Sequence, residues 1–198
     1  MEVGLVTLVV LCHPQERSFN HAVCEAVTRT LKARGHTVLF HDLYRERFDP
    51  LLTAVELKRR FSFDEQVQRY SRELAEADAL IFIHPEWWSG PPALLKGWID
   101  RVFRPGVAYD YAGEDFLRKS KVPLLAGKRS LILATTDAEA TPGEPPLARM
   151  WKEILGFCGV EEVTFRLLTD MRALDVAERR GWLSQIEGLV AELFPAEG

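Results

Sequence analysis

Short apolar runs alternate along the chain with longer segments whose apolar residues recur at helical spacing. The first run, 5–11, is rich in β-branched residues and carries no charge, which is typical of a strand buried on both faces of a parallel sheet. After it, apolar residues recur every three or four positions from Phe19 to Leu31, and Gly35 suits the end of a helix. The pattern therefore predicts a strand followed by an amphipathic helix.

The same alternation continues through the rest of the chain. It predicts further strands at 36–42, 79–83, 130–135 and 160–168. It predicts further helices at 64–77, 92–103, 145–158 and 175–193. Together these elements predict one α/β domain over residues 1–198, a three-layer sandwich around a five-stranded parallel sheet. Periodicity alone leaves open whether the strand order is 2-1-3-4-5 or that of half a Rossmann fold. The longest stretches predicted to be irregular are 104–128 and 136–146.

Composition and charge narrow the class of protein. The 198 residues are 47% hydrophobic and 27% charged, and the formal net charge is −4. These values are typical of a globular domain and argue against non-specific binding to nucleic acid or to anionic membranes. No run reaches the roughly 18 apolar residues that span a bilayer. The only charged residue before the apolar run 3–11 is acidic Glu2, whereas a secretory signal would begin with basic residues. We therefore expect a cytoplasmic protein without membrane insertion.

The three cysteines, Cys12, Cys24 and Cys158, lack the spacing of metal ligands. We expect reduced, buried thiols and no metal site. Cys12 ends the first strand, where a nucleophile could lie, but burial is the favoured interpretation. The basic run 58–60 is interpreted as a solvated helix end, and Lys96 as a solvated or packing residue.

Candidate chemistry lies in three loops that follow predicted strands, where doubly wound sheets bind their ligands. The first loop, 13–20, brings imidazole, guanidinium, amide and hydroxyl groups to the start of a helix. A helix N-terminus is a ready site for a phosphate. The alternative is that Ser18 caps the helix and His13 makes a structural hydrogen bond. Both interpretations stay open at this point.

The second loop, 84–92, combines two adjacent tryptophans with prolines. Trp87 and Trp88 would point in different directions, so one could be core while the other faces a planar aromatic ligand. Alternatively, both indoles are packing residues. In the third loop, Thr135, Thr136 and Asp137 could bind the polar edge of such a ligand, although these are also common turn residues.

Taken in order, these segments resemble a known family. The residues that carry the resemblance are His13-Pro14, 18–22, the block Pro85–Phe103 with its PALLKGWIDRVF run, 106–111, Thr135-Thr136 and 157–159. They resemble the flavodoxin-like NAD(P)H:quinone oxidoreductases, the DT-diaphorase group and its small bacterial relatives. The resemblance covers most of the chain and implies a flavodoxin-like sheet with strand order 2-1-3-4-5.

The resemblance also implies a cofactor, a partner and site residues. It implies a tightly bound flavin, FMN with FAD as the alternative, NAD(P)H as co-substrate, and a homodimer with its active sites at the interface. It assigns the flavin phosphate to His13, Ser18, Phe19 and Asn20. It assigns the isoalloxazine to Pro85, Glu86, Trp87 and Trp88, and its polar edge to Thr135 and Thr136, with Asp137 following them. Tyr109 and Tyr111 match the pair that reaches the partner's substrate pocket.

One segment departs from the family. In related enzymes, two glycines commonly follow the two threonines, and a tyrosine and a histidine come further along the chain. Here the run is Asp137-Ala138-Glu139, and neither tyrosine nor histidine occurs before Trp151. The resemblance therefore does not specify the pocket shape or the proton donor. Tyr109 or Tyr111 could assist proton transfer or only wall the pocket.

The resulting prediction is an enzyme that reduces quinones or other flat aromatic acceptors by hydride transfer with ping-pong kinetics. Two alternatives from other classes remain. One is a flavin-bearing regulatory subunit of a potassium-efflux transporter, a role of some small relatives. The other is a one-electron carrier of the flavodoxin type, although the loop after the first strand lacks the hydroxyl- and glycine-rich sequence of those carriers.

Overall fold

The computed structural model describes residues 4–112 and 120–196, and its centre is a five-stranded parallel sheet. The strands of this sheet are β1 (Val6–Leu11), β2 (Thr37–Asp42), β3 (Ala79–Pro85), β6 (Arg129–Thr135) and β7 (Glu162–Leu168). A separate antiparallel hairpin pairs β4 (Tyr109–Ala112) with β5 (Ser120–Pro123). The sheet order is β2-β1-β3-β6-β7. Numbered within the sheet alone, this is the predicted order 2-1-3-4-5, and the flavodoxin-like arrangement is confirmed.

The position of each strand follows from its sequence. Every residue of the central strand β3 is buried, as its uninterrupted apolar run predicts. Strand β2 is more polar and lies at one edge, with Phe40 exposed. Because the strands are parallel, the carboxyl ends of β1, β3 and β6 lie side by side at one edge of the sheet.

Helices cover both faces of the sheet and enclose two apolar cores. The helices are α1 (Phe19–Ala33), α2 (Ala54–Lys58), α3 (Glu65–Glu76), α4 (Ala93–Val102), α5 (Pro146–Phe157) and α6 (Val176–Leu193). On one face, α1 and α6 pack over Val9 and Ile81. On the other, α3, α4 and α5 pack over Leu80 and Phe82, with the two largest buried side chains, Trp98 and Trp151. Alternate side chains of each buried strand thus supply opposite cores.

Two elements lie where the pattern predicted none. Helix α2 has five residues, none of them buried, and it begins with a capping box between Thr53 and Glu56. Local hydrogen bonds, not an apolar period, therefore define it. The β4–β5 hairpin falls within 104–128, which was predicted to be irregular. Its strands have four residues each, too short to show a clear alternation.

Several smaller predictions are confirmed. Gly35 follows the end of α1 with a left-handed φ of +85°, and backbone bonds from Gly35 and His36 close the helix. Lys58 ends α2 and is exposed. The three cysteines are buried, and burial raises the pKa of the Cys12 thiol to about 12, which makes it a poor nucleophile.

Within the described residues, no helix has the length and apolar character to cross a membrane.

Candidate functional site

The loops after β1, β3 and β6 enclose a cleft of about 990 Å³ at the carboxyl edge of the sheet. Every residue that the sequence assigns to cofactor binding lines this cleft. They are His13, Ser18, Phe19, Asn20, Pro85, Glu86, Trp87, Trp88, Thr135, Thr136 and Asp137. The chain thus brings three loops, which together span more than a hundred residues of sequence, around one cavity. This is the position at which doubly wound sheets bind ligands.

The N-terminus of α1 opens into the cleft. Ser18 occupies the N-cap position but makes no capping hydrogen bond, so the capping interpretation of its side chain is wrong. Its Oγ instead lies 2.8 Å from Nδ1 of His21. Phe19 and Asn20 form the first turn, which contains no acidic residue. N–H groups at a helix start have no partner within the helix, so this end favours an anion.

His13 begins the first loop and shapes its backbone. Its Nδ1 lies 3.1 Å from the backbone nitrogen of Gln15 and can accept that N–H. Burial lowers the pKa of His13, which favours the neutral ring. The ring also lies 6.5 Å from that of Trp87, at a tilt of 56°. His13 therefore makes the structural hydrogen bond of the alternative interpretation while it lines the cleft.

The second loop contains a tight turn of unusual composition. Trp87 and Gly90 exchange two backbone hydrogen bonds, at 2.9 and 3.0 Å. The two central residues, Trp88 and Ser89, have φ of 54° and 59°. These angles are those of a type I′ turn, which ordinarily uses Gly, Asn or Asp. Trp88 is fully exposed and Trp87 is 43% exposed, so neither indole is a core residue.

The third loop is tied to the other two by hydrogen bonds. Asn20 Nδ2 donates to Oγ1 of Thr135 at 2.9 Å, and Glu86 N–H donates to the Thr135 carbonyl at 2.7 Å. Thr136 Oγ1 accepts from the backbone N–H of Ala138 at 3.2 Å. Asp137 pairs with exposed Arg172 at 2.7 Å. Thr135 is thus a common anchor for the first and second loops.

Buried His84 holds the start of the second loop in place. It is fully buried, and its Nε2 accepts from the Trp151 indole N–H at 3.1 Å while its Nδ1 donates to the carbonyl of Pro85 at 2.9 Å. Burial lowers its pKa to about 4. The neutral ring satisfies both hydrogen bonds in one tautomer and fixes the start of the second loop.

A fourth side of the cleft carries residues that the sequence pattern did not indicate. Met171, Arg172 and Arg179 line it from the loop after β7 and from α6, and Arg17 lines it from the first loop. The available signal was positional: the loop after the fifth strand also lies at the carboxyl edge. The three arginines bring positive charge to the cleft, where Arg172 pairs with Asp137.

Tyr109 and Tyr111 do not line this cleft. Their rings make an edge-to-face pair at 5.7 Å, and Tyr109 makes another with Phe157 at 5.0 Å. Tyr109 lines a second cavity of about 590 Å³, and Tyr111 is 45% exposed. The two predicted groups of site residues are therefore separate within one subunit.

One buried polar atom of the cleft lacks a partner. Asn20 is buried, and its Oδ1 finds no hydrogen-bond donor among the described residues. Leaving a buried acceptor unsatisfied costs about 1–3 kcal/mol. This atom, the open start of α1 and the aromatic second loop fit a ligand with a phosphate and a flat, hydrogen-bonding ring. A phosphorylated flavin has these features.

The fold is that of a flavodoxin-like α/β protein with an open cleft at the carboxyl edge of its sheet. Comparison with known proteins agrees: the Flavodoxin_2 model, a flavodoxin-like fold, matches residues 6–186. The uncharacterized NAD(P)H oxidoreductase YcaK of Escherichia coli K12 is 30% identical over 197 residues, which cover 93% of this chain and 96% of that protein. The chain belongs to this family of flavodoxin-like NAD(P)H oxidoreductases.

Two solved structures have the same fold as this chain. An NAD(P)H:quinone oxidoreductase from Methanothermobacter marburgensis superposes with a TM-score of 0.80 at 29% identity, covering 98% of this chain and all of that one. An FMN-dependent NADH-azoreductase from Bacillus anthracis, in complex with FMN, has a TM-score of 0.78 at 17% identity. It covers 96% of this chain and 99% of the azoreductase, and it shares the fold.

Proposed function

We propose that the protein is a flavin-dependent NAD(P)H oxidoreductase that reduces quinones or similar flat aromatic acceptors by two electrons. The observation that carries the proposal is the buried, unpartnered Oδ1 of Asn20 beside the open N-terminus of α1. Among the described residues this acceptor has no partner, and the first N–H groups of a helix have none within the helix; a ligand with donors and a negative charge would explain both. The proposal treats residues 1–198 as one flavin-binding domain in the cytoplasm.

The phosphate of the flavin would lie at the start of α1. His13, Ser18, Phe19 and Asn20 would hold it, mainly through the helix dipole and the backbone N–H groups of the first turn. The open Oδ1 of Asn20 is an acceptor, so it would take a donor of the same ligand, such as a hydroxyl of the flavin side chain. FMN is the proposed cofactor and FAD the alternative. The FMN complex of the azoreductase with the same fold supports this choice.

The isoalloxazine would lie against the second and third loops. Pro85, Glu86, Trp87 and Trp88 would contact the ring, and Thr135, Thr136 and Asp137 its polar edge. When bound, a flavin supplies hydride transfer between NAD(P)H and an acceptor. The chain binds and orients the reactants: neutral His84 fixes Pro85, and the type I′ turn fixes the indoles. Because both substrates would use one ring face, we expect ping-pong kinetics.

A homodimer would complete the site. The lining of the second cavity includes the exposed apolar residues Leu52, Leu57 and Phe157, together with charged side chains such as Arg59 and Arg60. Exposed apolar residues rimmed by polar ones are typical of a protein interface. In the proposed dimer it faces a second copy, and Tyr109 and Tyr111 of one subunit reach the cleft of the other. Burial raises the pKa of Tyr109, so its hydroxyl stays protonated near neutral pH and can donate a hydrogen bond.

The decisive experiment is an absorption spectrum of the purified protein before and after anaerobic NADH or NADPH. We expect one bound flavin per chain, bleached in a single two-electron step, and extraction will identify it as FMN or FAD. Parallel initial-rate lines would support ping-pong turnover, and intersecting lines would contradict it. Sedimentation equilibrium tests the dimer.

The same experiment tests the two alternatives. A stable one-electron-reduced state at half reduction would favour the flavodoxin-type carrier. A flavoprotein that NAD(P)H does not reduce, but that a membrane transporter retains, would favour the regulatory subunit. A colourless protein that takes up no added flavin would overturn all three.

A further inference from the structure

His21 lies between the cleft and a buried carboxylate. Its Nδ1 is 2.8 Å from Oγ of Ser18, and its Nε2 is 3.4 Å from Oδ2 of Asp42. The other oxygen of Asp42 accepts the backbone N–H groups of Tyr44 and Arg45, each at 3.2 Å. The end of β2 therefore holds the carboxylate in place, and the carboxylate faces one nitrogen of His21.

This arrangement determines which way the Ser18 hydroxyl points. In neutral His21, the carboxylate of Asp42 favours the proton on Nε2, so Nδ1 is an acceptor. Ser18 then donates its only O–H to His21 and can offer the cleft an acceptor alone. In protonated His21, both nitrogens donate. Ser18 Oγ then accepts from Nδ1, and its own O–H is free to donate into the cleft.

We propose that His21 is a positioning residue that makes Ser18 a hydrogen-bond donor to the flavin phosphate when its imidazole is protonated. This inference rests on the proposed function, since it assigns the phosphate to Ser18. It predicts that the contribution of the phosphate to flavin affinity increases as the pH falls. Asp42 acts through His21 by selecting its tautomer.

Solvent reaches His21 through a groove that shares no lining residue with the cleft. This groove of about 510 Å³ beside α1 and β2 is lined by both His21 and Asp42. His21 can therefore exchange protons while a ligand fills the cleft. The other titratable groups of this groove are Cys24, Glu25, Arg29 and Lys32 on α1 and Arg45 after β2. His13 faces His21 from the first loop at 6.3 Å, and burial lowers its pKa.

The test compares two ligands whose charge does not change near neutral pH. Riboflavin lacks the anionic group, whereas riboflavin 5′-sulfate carries a fixed negative charge in place of the titrating phosphate. Flavin fluorescence quenching gives both dissociation constants for the flavin-free full-length protein between pH 5 and 8.5. The dissociation constant of riboflavin divided by that of riboflavin 5′-sulfate isolates the contribution of the anion. A higher ratio means that the anion contributes more to binding.

In the wild-type protein we expect this ratio to increase about tenfold toward low pH, the effect of one added hydrogen bond to a charged group. In His21→Asn, whose side chain does not titrate, the ratio should be flat while riboflavin affinity is unchanged. The matched control is His36→Asn, because buried His36 lies at the opposite end of β2 and bonds to Leu5 and Phe194. It should keep the wild-type profile.

Ser18→Ala separates the hydroxyl from the charge of His21. The proposal requires a low and flat ratio in this variant. If the pH dependence persisted in Ser18→Ala, His21 would act through its charge alone and the role of Ser18 would be overturned. A flat wild-type ratio with good binding of both flavins would overturn the inference but leave the proposed function intact. Failure to bind either flavin or FMN at any pH would overturn both.

A second measurement needs no His21 variant. Binding and protonation are linked reciprocally, so riboflavin 5′-sulfate must increase the protonated fraction of His21 if protonation favours its binding. Imidazole NMR spectra of the wild-type protein at one fixed pH, with and without this ligand, should show the increase. Riboflavin should produce none. An unchanged protonated fraction with the sulfate ester would contradict the proposal.

Discussion

The cleft differs from the region in which Arg101 contacts Asp49, Glu56 and Asp64, here called the α2–α4 side, in how one buried polar side chain is satisfied. At the cleft, Asn20 keeps an unpartnered oxygen and His84 is held neutral. On the α2–α4 side, Arg101 is buried between Glu56 and Asp64, and it donates to the carbonyl of Asp49. The charge of Arg101 is paired where three segments of chain are tied together, whereas the amide oxygen of Asn20 is open where a ligand would bind. The contrast concerns these two side chains, because Trp98 Nε1 and Arg104 Nε, in and just after α4, also lack a partner among the described residues.

The largest expected effect comes from removing Arg101, the buried cation that pairs with Glu56 and Asp64. Arg101→Met leaves Glu56, whose side chain is 10% exposed, and Asp64 without their cation. Removing one member of a buried ionic network destabilises by about 3–5 kcal/mol. Chemical denaturation of the variant should show this loss in the free energy of unfolding.

The control for this variant is Arg129→Met, which removes an exposed ion pair with Glu162 at 3.3 Å. An exposed pair contributes about 0–1 kcal/mol. If both variants lost the same stability, the buried network would not be the special feature of the α2–α4 side. Folded Arg101→Met should still bind FMN, since Arg101 does not line the cleft.

The second expected effect is a pH dependence of opposite sign for two buried histidines. Burial lowers the pKa of His84 to about 4, so the unfolded chain takes up this proton near pH 6.5 and the folded chain only near 4. The contribution of neutral His84 to the free energy of unfolding is complete above about pH 6.5 and is lost as the pH falls to about 4. The shift corresponds to about 3 kcal/mol.

His41 behaves in the opposite way. Burial disfavours its charge, but hydrogen bonds with Glu46 and Glu73 outweigh burial and raise its pKa. Its contribution is full below about pH 6.5 and is lost as the pH rises through the folded-state pKa. Denaturation curves measured between pH 4 and 8 give the free energy of unfolding at each pH. In His84→Gln this free energy should no longer decline toward acid pH, and in His41→Gln it should no longer decline toward alkaline pH. A parallel change in both variants would contradict the assignment.

The third expected effect concerns ligand affinity. Asn20→Ala removes the buried Oδ1 and the hydrogen bond to Thr135. We expect FMN affinity to fall about 10- to 100-fold, the range for a buried hydrogen bond with a ligand. Gln66→Ala is the matched control, because Gln66 Nε2 donates to the carbonyl of Glu46 on the α2–α4 side. Equal losses of FMN affinity would show that the effect is one of stability.

The two sides also differ in how well the sequence predicts them. The cleft lies at the ends of strands that apolar runs identify, and parallel strands bring their carboxyl ends to one edge. All the predicted cofactor residues therefore share a cavity. The α2–α4 side depends on contacts that no local pattern contains: Arg101 meets groups from residues 49, 56 and 64. Helix α2 and the β4–β5 hairpin escaped prediction because they are too short for periodicity.

Within the cleft, local rules gave the positions of residues but not their hydrogen bonds. Ser18 is at the N-cap, as predicted, yet its hydroxyl pairs with His21 because that ring is held by Asp42 from β2. The exposure of both tryptophans depends on the turn type, which the sequence Trp88-Ser89 does not suggest. Tertiary contacts and backbone strain decide these details.

The smallest expected effect tests that strain. Ser89 holds a left-handed φ of 59°, which costs a residue with a Cβ about 1–2 kcal/mol. Ser89→Gly removes this cost but makes the unfolded chain freer by about 0.5–1 kcal/mol. The net expectation is a gain of about 0.5–1 kcal/mol in the free energy of unfolding. Gly35→Ala is the reverse control: Gly35 has φ +85° with open space around it, so strain alone should cost about 1 kcal/mol. If Ser89→Gly gained stability but weakened FMN binding, the turn would be strained in order to hold the indoles against the ligand. If it gained stability and left binding unchanged, the turn geometry would serve the fold alone.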